Sequence, residues 1–452
     1  MLAVQTTMPD RYSRSSVEFD VTPGTQTSQA VQEDDTPFRI LLVGDFSGSA
    51  NRGLPARPAR PRAVDSDNLE EVMAEMDVAL RLPQGALRFR ELDDFHPDHL
   101  YAQAAVFRQL AEARTKPPVA APPPPPPAAP AKSDREIGRG LLEDMLATEE
   151  ESAAKAAAEP GGLADFINRV MAPHLEERPD PRSAAWSAQV DRAAGEQMRA
   201  ILHHPHFQAL EAIWLSTARL VKLLQPDTDL KIYLLDATLA DIAADPAAFA
   251  GDWAVIAGHF TFGHGPEDAA LLRQLGRMAA HARAPFLAEG LPPEDSEPGP
   301  NWRELAASAE ARWIGLALPR VLLRLPYGKS TSAIDSFEFE EMPVSVHTEY
   351  LWGNPGFFCA GLLGEAFREG GWDLRPERHR RIGGLPVHVY RADGASAQKP
   401  CAEIAMSDSD AEFLLENGLM AVASERDADS ALLVRWQSIA MPAARLAGRW
   451  SY

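Results

Sequence analysis

Cysteine is almost missing: the 452 residues contain two, Cys359 and Cys401. Two thiols cannot build a disulfide framework or a four-cysteine zinc site. Their scarcity suits a reducing compartment and gives a cytoplasmic expectation. Basic residues are in deficit, with 44 Lys and Arg against 65 Asp and Glu and a net charge of −21. No basic tract offsets that balance. Sequence-independent nucleic-acid binding, which neutralises phosphates with clustered cations, is therefore not expected, and an anionic membrane surface is disfavoured for the same reason. No apolar run reaches the ~18 residues of a membrane-spanning helix, so membrane insertion is not expected. The opening MLAVQTTMPDRYSR has no continuous apolar stretch, so no signal peptide is read.

Catalytic signatures are missing too. Gly44-Asp45-Phe46-Ser47-Gly48 follows an apolar run as a nucleotide loop would, but lacks both G-x-x-x-x-G-K-[ST] and G-x-G-x-x-G. No nucleophile elbow, kinase set or zinc signature occurs. His203-His204-Pro205-His206 has the wrong spacing for a helical ligand pair. His259 and His264 lie near Glu267 and Asp268, an arrangement better read as a turn whose acids cap the next helix. Cys359, among Phe357, Phe358 and Ala360, reads as a buried thiol without a basic neighbour. Gly361-Leu362-Leu363-Gly364 reads as a close-packing site. No catalytic, cofactor-binding or metal residue is predicted, and no enzyme activity.

What is present is a chain able to bury a core: 45% hydrophobic and 24% charged residues, enough for about two or three domains at roughly 150 residues each. Residues 1–36 are polar, apart from Ser16-Val17-Glu18-Phe19-Asp20-Val21, which alternates as a strand does. This stretch reads either as a flexible tail or as an arm that adds a strand to a neighbour's sheet. Residues 37–115 read as a small α/β unit. A buried strand is expected over Phe38–Val43, a helix behind an Asp67 cap, a strand over Ala86–Phe89 and one helix over His96–Arg114. Residues 116–135, with Pro117-Pro118 and Pro122–Pro127, form a polyproline-rich linker.

Residues 136–452 form the larger piece. Leu141, Leu142, Met145 and Leu146 sit at helical spacing. A long helical region is expected from about Ser183 to Leu224. Strands over Leu230–Leu235, Trp253–Ala257 and from Pro285 then alternate with helices over Leu239–Ala250 and Asp268–Arg283. The alternation predicts an α/β sheet with helical cover. Trp214, Trp313, Trp352 and Trp372 are expected in the core, while Arg320, Arg324 and Glu340 are expected in ion pairs, within the chain or between subunits.

Several stretches together resemble the contractile sheath of the bacterial type VI secretion system. Phe38-Arg39-Ile40-Leu41-Leu42-Val43-Gly44-Asp45-Phe46-Ser47-Gly48, the segment Val64–Met73 and the segment Leu87–Asp98 are similar to the small sheath subunit (VipA, or TssB). Ile201–Trp214, Trp313–Gly328, Phe337–Glu341, Tyr350–Asn354 and Gly383–Val387 are similar, in the same order, to the large subunit (VipB, or TssC). The chain departs from the pattern at Leu215-Ser216, where the family usually has Arg-Gly, and at His259-Phe260-Thr261-Phe262, where an acidic turn is usual.

The resemblance implies a fusion protein: a small-subunit-like α/β unit joined by the Pro-rich linker to a larger α/β sheath domain, without the large subunit's C-terminal domain. It implies a structural, oligomeric role in a helical tube around an inner tube, shortening as subunits repack. The implied partners are other sheath subunits, the inner-tube protein, baseplate components and an AAA+ unfoldase. The unfoldase would read the helix carrying Leu141, Leu142, Met145 and Leu146 in the large-subunit pattern. Three readings stay open: a working sheath subunit, a sheath-like scaffold or cap that does not polymerise, and an unrelated activity on a borrowed fold.

Overall fold

A computed structural model describes residues 36–54, 60–115, 181–244, 251–293, 299–343, 346–392, 395–426 and 428–450. The arm Ser16–Val21, the linker 116–135 and the helix with Leu141, Leu142, Met145 and Leu146 lie outside the described residues.

The strands are β1 (Phe38–Gly44), β2 (Arg62–Val64), β3 (Val78–Leu82), β4 (Gly85–Phe89), β5 (Leu230–Asp236), β6 (Val255–Phe262), β7 (Phe286–Gly290), β8 (Ile314–Leu318), β9 (Val321–Leu322), β10 (Trp352–Gly353), β11 (Arg381–Ile382), β12 (Val389–Ala392), β13 (Ala395–Gln398), β14 (Met420–Ser424) and β15 (Ala431–Leu433). Nine of them form one sheet in the order β11-β15-β14-β8-β7-β6-β1-β5-β2. From β5 through β14 the pairings are parallel. β2, β15 and β11 join antiparallel at the margins. Sequences such as FRILLVG, FLAEG and IGLAL suit this position, because helices cover both faces and every residue of β7 and β8 is buried.

The pleat divides each strand between two cores. Phe38, Ile40 and Leu42 of β1 face one core, and Leu41 and Val43 face the other. On the first face lie the helices Pro205–Leu224 and Pro355–Gly370. Gly364 lets them approach: a Cβ there would stand 2.6 Å from Leu224 Cδ1. On the second face lie Pro266–Ala282, Pro300–Ala306 and Asp408–Glu416.

The α/β class is as expected, but the division into pieces differs. Residues 37–115 do not stand apart with a sheet of their own. β1 lies between β5 and β6, paired over Phe38–Gly44 with Leu230–Asp236 and over Ile40–Val43 with Val255–Gly258. Of the described strands in residues 37–115, only the β3–β4 hairpin stays outside the large sheet. The physical reason is that β1 is apolar on both faces and needs a strand on each side.

Smaller differences have local causes. The expected helical region from Ser183 to Leu224 consists of two helices, Pro181–Leu202 and Pro205–Leu224, because His204 is extended ahead of Pro205. The expected helix over His96–Arg114 breaks at extended Ala104. Asn68, not Asp67, occupies the cap position of Leu69–Glu75, while Asp65 Oδ1 accepts from the amides of Asp67 and Asn68. β6 runs on to Phe262, so His259 belongs to a strand and not to the turn after it. Trp214 and Trp352 are buried, whereas Trp313 and Trp372 are half-buried at the margins of the cores.

Candidate functional site

The sequence motifs that invite a chemical reading have structural partners. Asp45 caps the short helix Ser49–Arg52, accepting from Ser49 N at 2.7 Å and Ala50 N at 3.0 Å. Asp236 accepts from Ser47 N at 3.0 Å. His204 caps its helix through Nδ1, 3.3 Å from His206 N. His264 packs on Trp302 with ring centroids 4.1 Å apart. Burial pushes the Cys359 thiol up to about 12, and Cys401 also moves up. Glu91, Asp94 and His99 lie close enough together to share a cation, but Glu91 and Asp94 already form the capping box of the turn Leu92–Phe95.

The densest polar construction lies where residues 37–115 meet the rest. Glu211 stands in the apolar run Leu210-Glu211-Ala212-Ile213-Trp214 and is fully buried. Arg324 clamps it with two hydrogen bonds, Nε to Oε1 at 2.6 Å and Nη2 to Oε2 at 3.2 Å. The same guanidinium donates to Glu341 at 2.8 and 3.2 Å, and it lies 4.3 Å from the centre of the Tyr327 ring. Glu341 Oε2 also accepts from Tyr327 N at 2.7 Å, which closes the loop between them.

Burial pushes Glu211 up despite Arg324. Burial opposes Glu341 ionisation as well, but Arg324, His203 and the Tyr327 amide outweigh it and hold that carboxyl at about 2. The two carboxylates raise Arg324 well above the ordinary arginine value against the effect of burial.

The loop fixed by this network grips the small piece. Asp98, in the helix Pro97–Gln103, accepts from Ser336 N at 2.9 Å, Ser336 Oγ at 2.6 Å and Asp335 N at 3.1 Å. These donors outweigh burial and lower its pKa. Tyr327 meets His96 edge-on at 5.1 Å, and Phe337 meets Tyr101 at 5.4 Å. Beneath them Trp214 Nε1 donates to Phe46 O at 2.9 Å, and Phe207 packs on Phe95 and Phe89. Further along, Trp186 Nε1 donates to Ala113 O at 2.8 Å and Arg114 pairs with Asp191 at 3.2 Å.

Of the expected ion-pair residues, Arg324 pairs within the chain and Arg320 grips Glu403 at 2.9 and 2.6 Å. The carboxylate of Glu340 accepts from Lys329 N, and the neighbouring Glu341 is the partner of Arg324. Sequence reasoning missed Glu211, although one acid inside an apolar helical face is itself a signal of a buried counter-charge. The arrangement is built to hold backbone segments together, and its polar atoms are spent on one another. The two margins of the sheet are short: β2 has three residues and β11 has two. Among the described residues no helix is long and apolar enough to cross a membrane.

Comparison with known proteins agrees with this geometry. The VipA family of type VI secretion systems matches residues 10–117. The VipB family's tail sheath N-terminal domain matches residues 185–254 and 295–440. The type VI secretion system sheath protein TssC1 of Pseudomonas aeruginosa is 28% identical over 303 residues, which covers 57% of this chain and 61% of that protein. The chain therefore spans less than two thirds of that relative's length. Matches of both kinds together cover well over half of the sequence and meet in one sheet: the chain belongs to the type VI secretion sheath family, with small-subunit-like and large-subunit-like segments in a single polypeptide.

Proposed function

We propose that this chain is a structural subunit of a type VI secretion contractile sheath. It forms or joins a helical tube in the cytoplasm whose contraction propels an inner tube, and it carries out no catalysis. The observation that supports this most is the position of β1, from the small-subunit-like segment, between β5 and β6 of the large-subunit-like one. The polymer would store free energy in interfaces that repack, which needs no bond chemistry.

In this reading the arm Ser16-Val17-Glu18-Phe19-Asp20-Val21 adds a strand to a neighbouring copy. The inner-tube protein and baseplate components are the other partners. The stripe of Leu141, Leu142, Met145 and Leu146 enters the groove of an AAA+ unfoldase, so Leu142→Asp weakens unfoldase binding and leaves the fold intact; unchanged binding refutes that assignment. A second reading, a sheath-like cap or scaffold that stops growth, draws support from the sheet margins. Strands of three and two residues offer few free ladder groups for extension. Negative-stain microscopy of the chain, alone and with the inner-tube protein, separates the two. Long hollow tubes support the subunit, and monomers or short rings under every condition support the cap.

A further inference from the structure

The parallel strands in the order β5-β1-β6-β7-β8 create a switch point: the chain leaves β1 for β5 on one side and returns to β6 on the other. Open α/β sheets bind ligands in the crevice beyond the carboxyl ends of strands at such a point. Here that crevice consists of two adjoining cavities of about 270 and 280 Å³, which share His259 and Ala209 in their walls. The sheath reading makes no use of it.

The charges around the larger cavity do not balance. Arg320 is committed to Glu403 by two hydrogen bonds. Glu289, at the carboxyl end of β7, is only 9% exposed and lines the cavity. Its Oε2 accepts from Thr261 Oγ1 at 2.7 Å, but its Oε1 has only the distant Arg320 Nε at 3.6 Å, beyond hydrogen-bond range. Burial pushes the Glu289 carboxyl up, with Arg320 only partly opposing it. Burial and the nearby Arg320 push His259 down to about 4, so it brings no positive charge. Among the described residues no other side chain or backbone group hydrogen-bonds its ring. Glu289 and Glu403 therefore share the one guanidinium of Arg320, with Tyr350 and Trp352 supplying aromatic walls; Lys399 Nζ, outside the lining, lies 5.9 Å from the Tyr350 ring.

We propose that this crevice is a binding site for an organic cation, a guanidinium or alkylammonium group, seated on Glu289 Oε1 beside Tyr350 and Trp352. A cation there completes the charge balance and gains the attraction of aromatic faces. The inference stands apart from the sheath reading, since the crevice is formed whether or not the chain polymerises.

The group could arrive as a free amine or as a basic side chain of another protein, and two probes distinguish these sources. Agmatine and the capped peptide acetyl-Ala-Arg-Ala-amide are titrated calorimetrically into the full chain. Saturable one-to-one binding of either is expected, with agmatine alone indicating a small amine and the peptide alone indicating a protein side chain. Glu289→Gln keeps the Thr261 contact and should weaken binding by about tenfold or more, the usual size for loss of a charge-assisted contact. Ala209→Phe, at an exposed helix position on the shared wall, should block the crevice without touching its charges. Glu340→Gln, outside the crevice, should bind as the wild type does. No saturation with either probe, or binding unchanged in both crevice variants, would overturn the proposal.

Discussion

Arg324→Met tests whether the network that fixes the loop gripping Asp98 holds the molecule together. The side chains of Arg324, Glu211 and Glu341 are 13%, 0% and 2% exposed, so water screens them little. Methionine fills most of the arginine volume but leaves two buried carboxylates facing each other without the guanidinium that joined them. Breaking a buried pair by removing one partner costs about 3–5 kcal/mol. A domain has roughly 5–15 kcal/mol in hand. The urea midpoint, followed by tryptophan fluorescence, should therefore fall steeply.

The pH dependence identifies the cause. In the wild type Glu341 lies at about 2, below the ordinary 4.5, so its stabilisation is complete above 4.5 and lost as pH falls toward 2. Glu211 is pushed up, so its contribution has the opposite sign: it is lost as pH rises through its raised pKa. Without Arg324 both carboxylates resist ionisation. The gap between variant and wild type should widen as pH rises and narrow as pH falls, where protons relieve the repulsion. Adding Glu211→Leu and Glu341→Gln to Arg324→Met should recover most of the loss, because an apolar replacement of a buried ionic group is often close to neutral. A loss below about 1 kcal/mol, the size of an exposed pair, or a gap that ignores pH, refutes the reasoning.

Three further outcomes follow from the same geometry. Residues 1–115 and 181–452, co-expressed as two chains, should co-purify because β1 is an internal strand of the shared sheet; Asp98→Ala should weaken that pairing by about 1–3 kcal/mol in a titration of one chain with the other, through loss of three donors. Gly364→Val should lower stability by about 1–3 kcal/mol in a thermal melt, because its Cβ would stand 2.6 Å from Leu224 Cδ1. Cys359 and Cys401 should resist thiol reagents in the native chain and react on unfolding, since both are buried and Cys359 sits at about 12; rapid native labelling would contradict their burial.

The sequence carried the local elements well and the long-range pairing poorly. Leu230–Asp236, Phe286–Gly290 and Pro266–Ala282 were legible because apolar periodicity and turn residues are local signals. Val78–Leu82 escaped because its charged Arg81 interrupts a short run, and the break at His204 was masked by apolar periodicity continuing across Pro205. The candidate site was legible only in part. Arg324 stood out, but its partners are 113 and 17 residues away, and sequence spacing does not reveal which acids a buried guanidinium will meet. The crevice at Glu289 depends on strand order, which no single segment encodes.

The position of β1 nevertheless had a trace in the sequence. A half-exposed edge strand alternates polar and apolar residues, whereas Phe38-Arg39-Ile40-Leu41-Leu42-Val43 is apolar toward both faces. Such a strand must lie inside a sheet with cover on each side. Beside β1, the described residues among 37–115 supply only β2, β3 and β4, of three, five and five residues, and one helix longer than seven. That is too little to enclose it, so the missing neighbours had to come from beyond the linker. The joint is therefore part of the core and not a contact between finished domains. Cutting the chain between 115 and 181 should leave its affinity in the buried strand and the Asp98 and Trp214 contacts. What the covalent connection adds is a raised effective concentration and a fixed one-to-one ratio of the two segments.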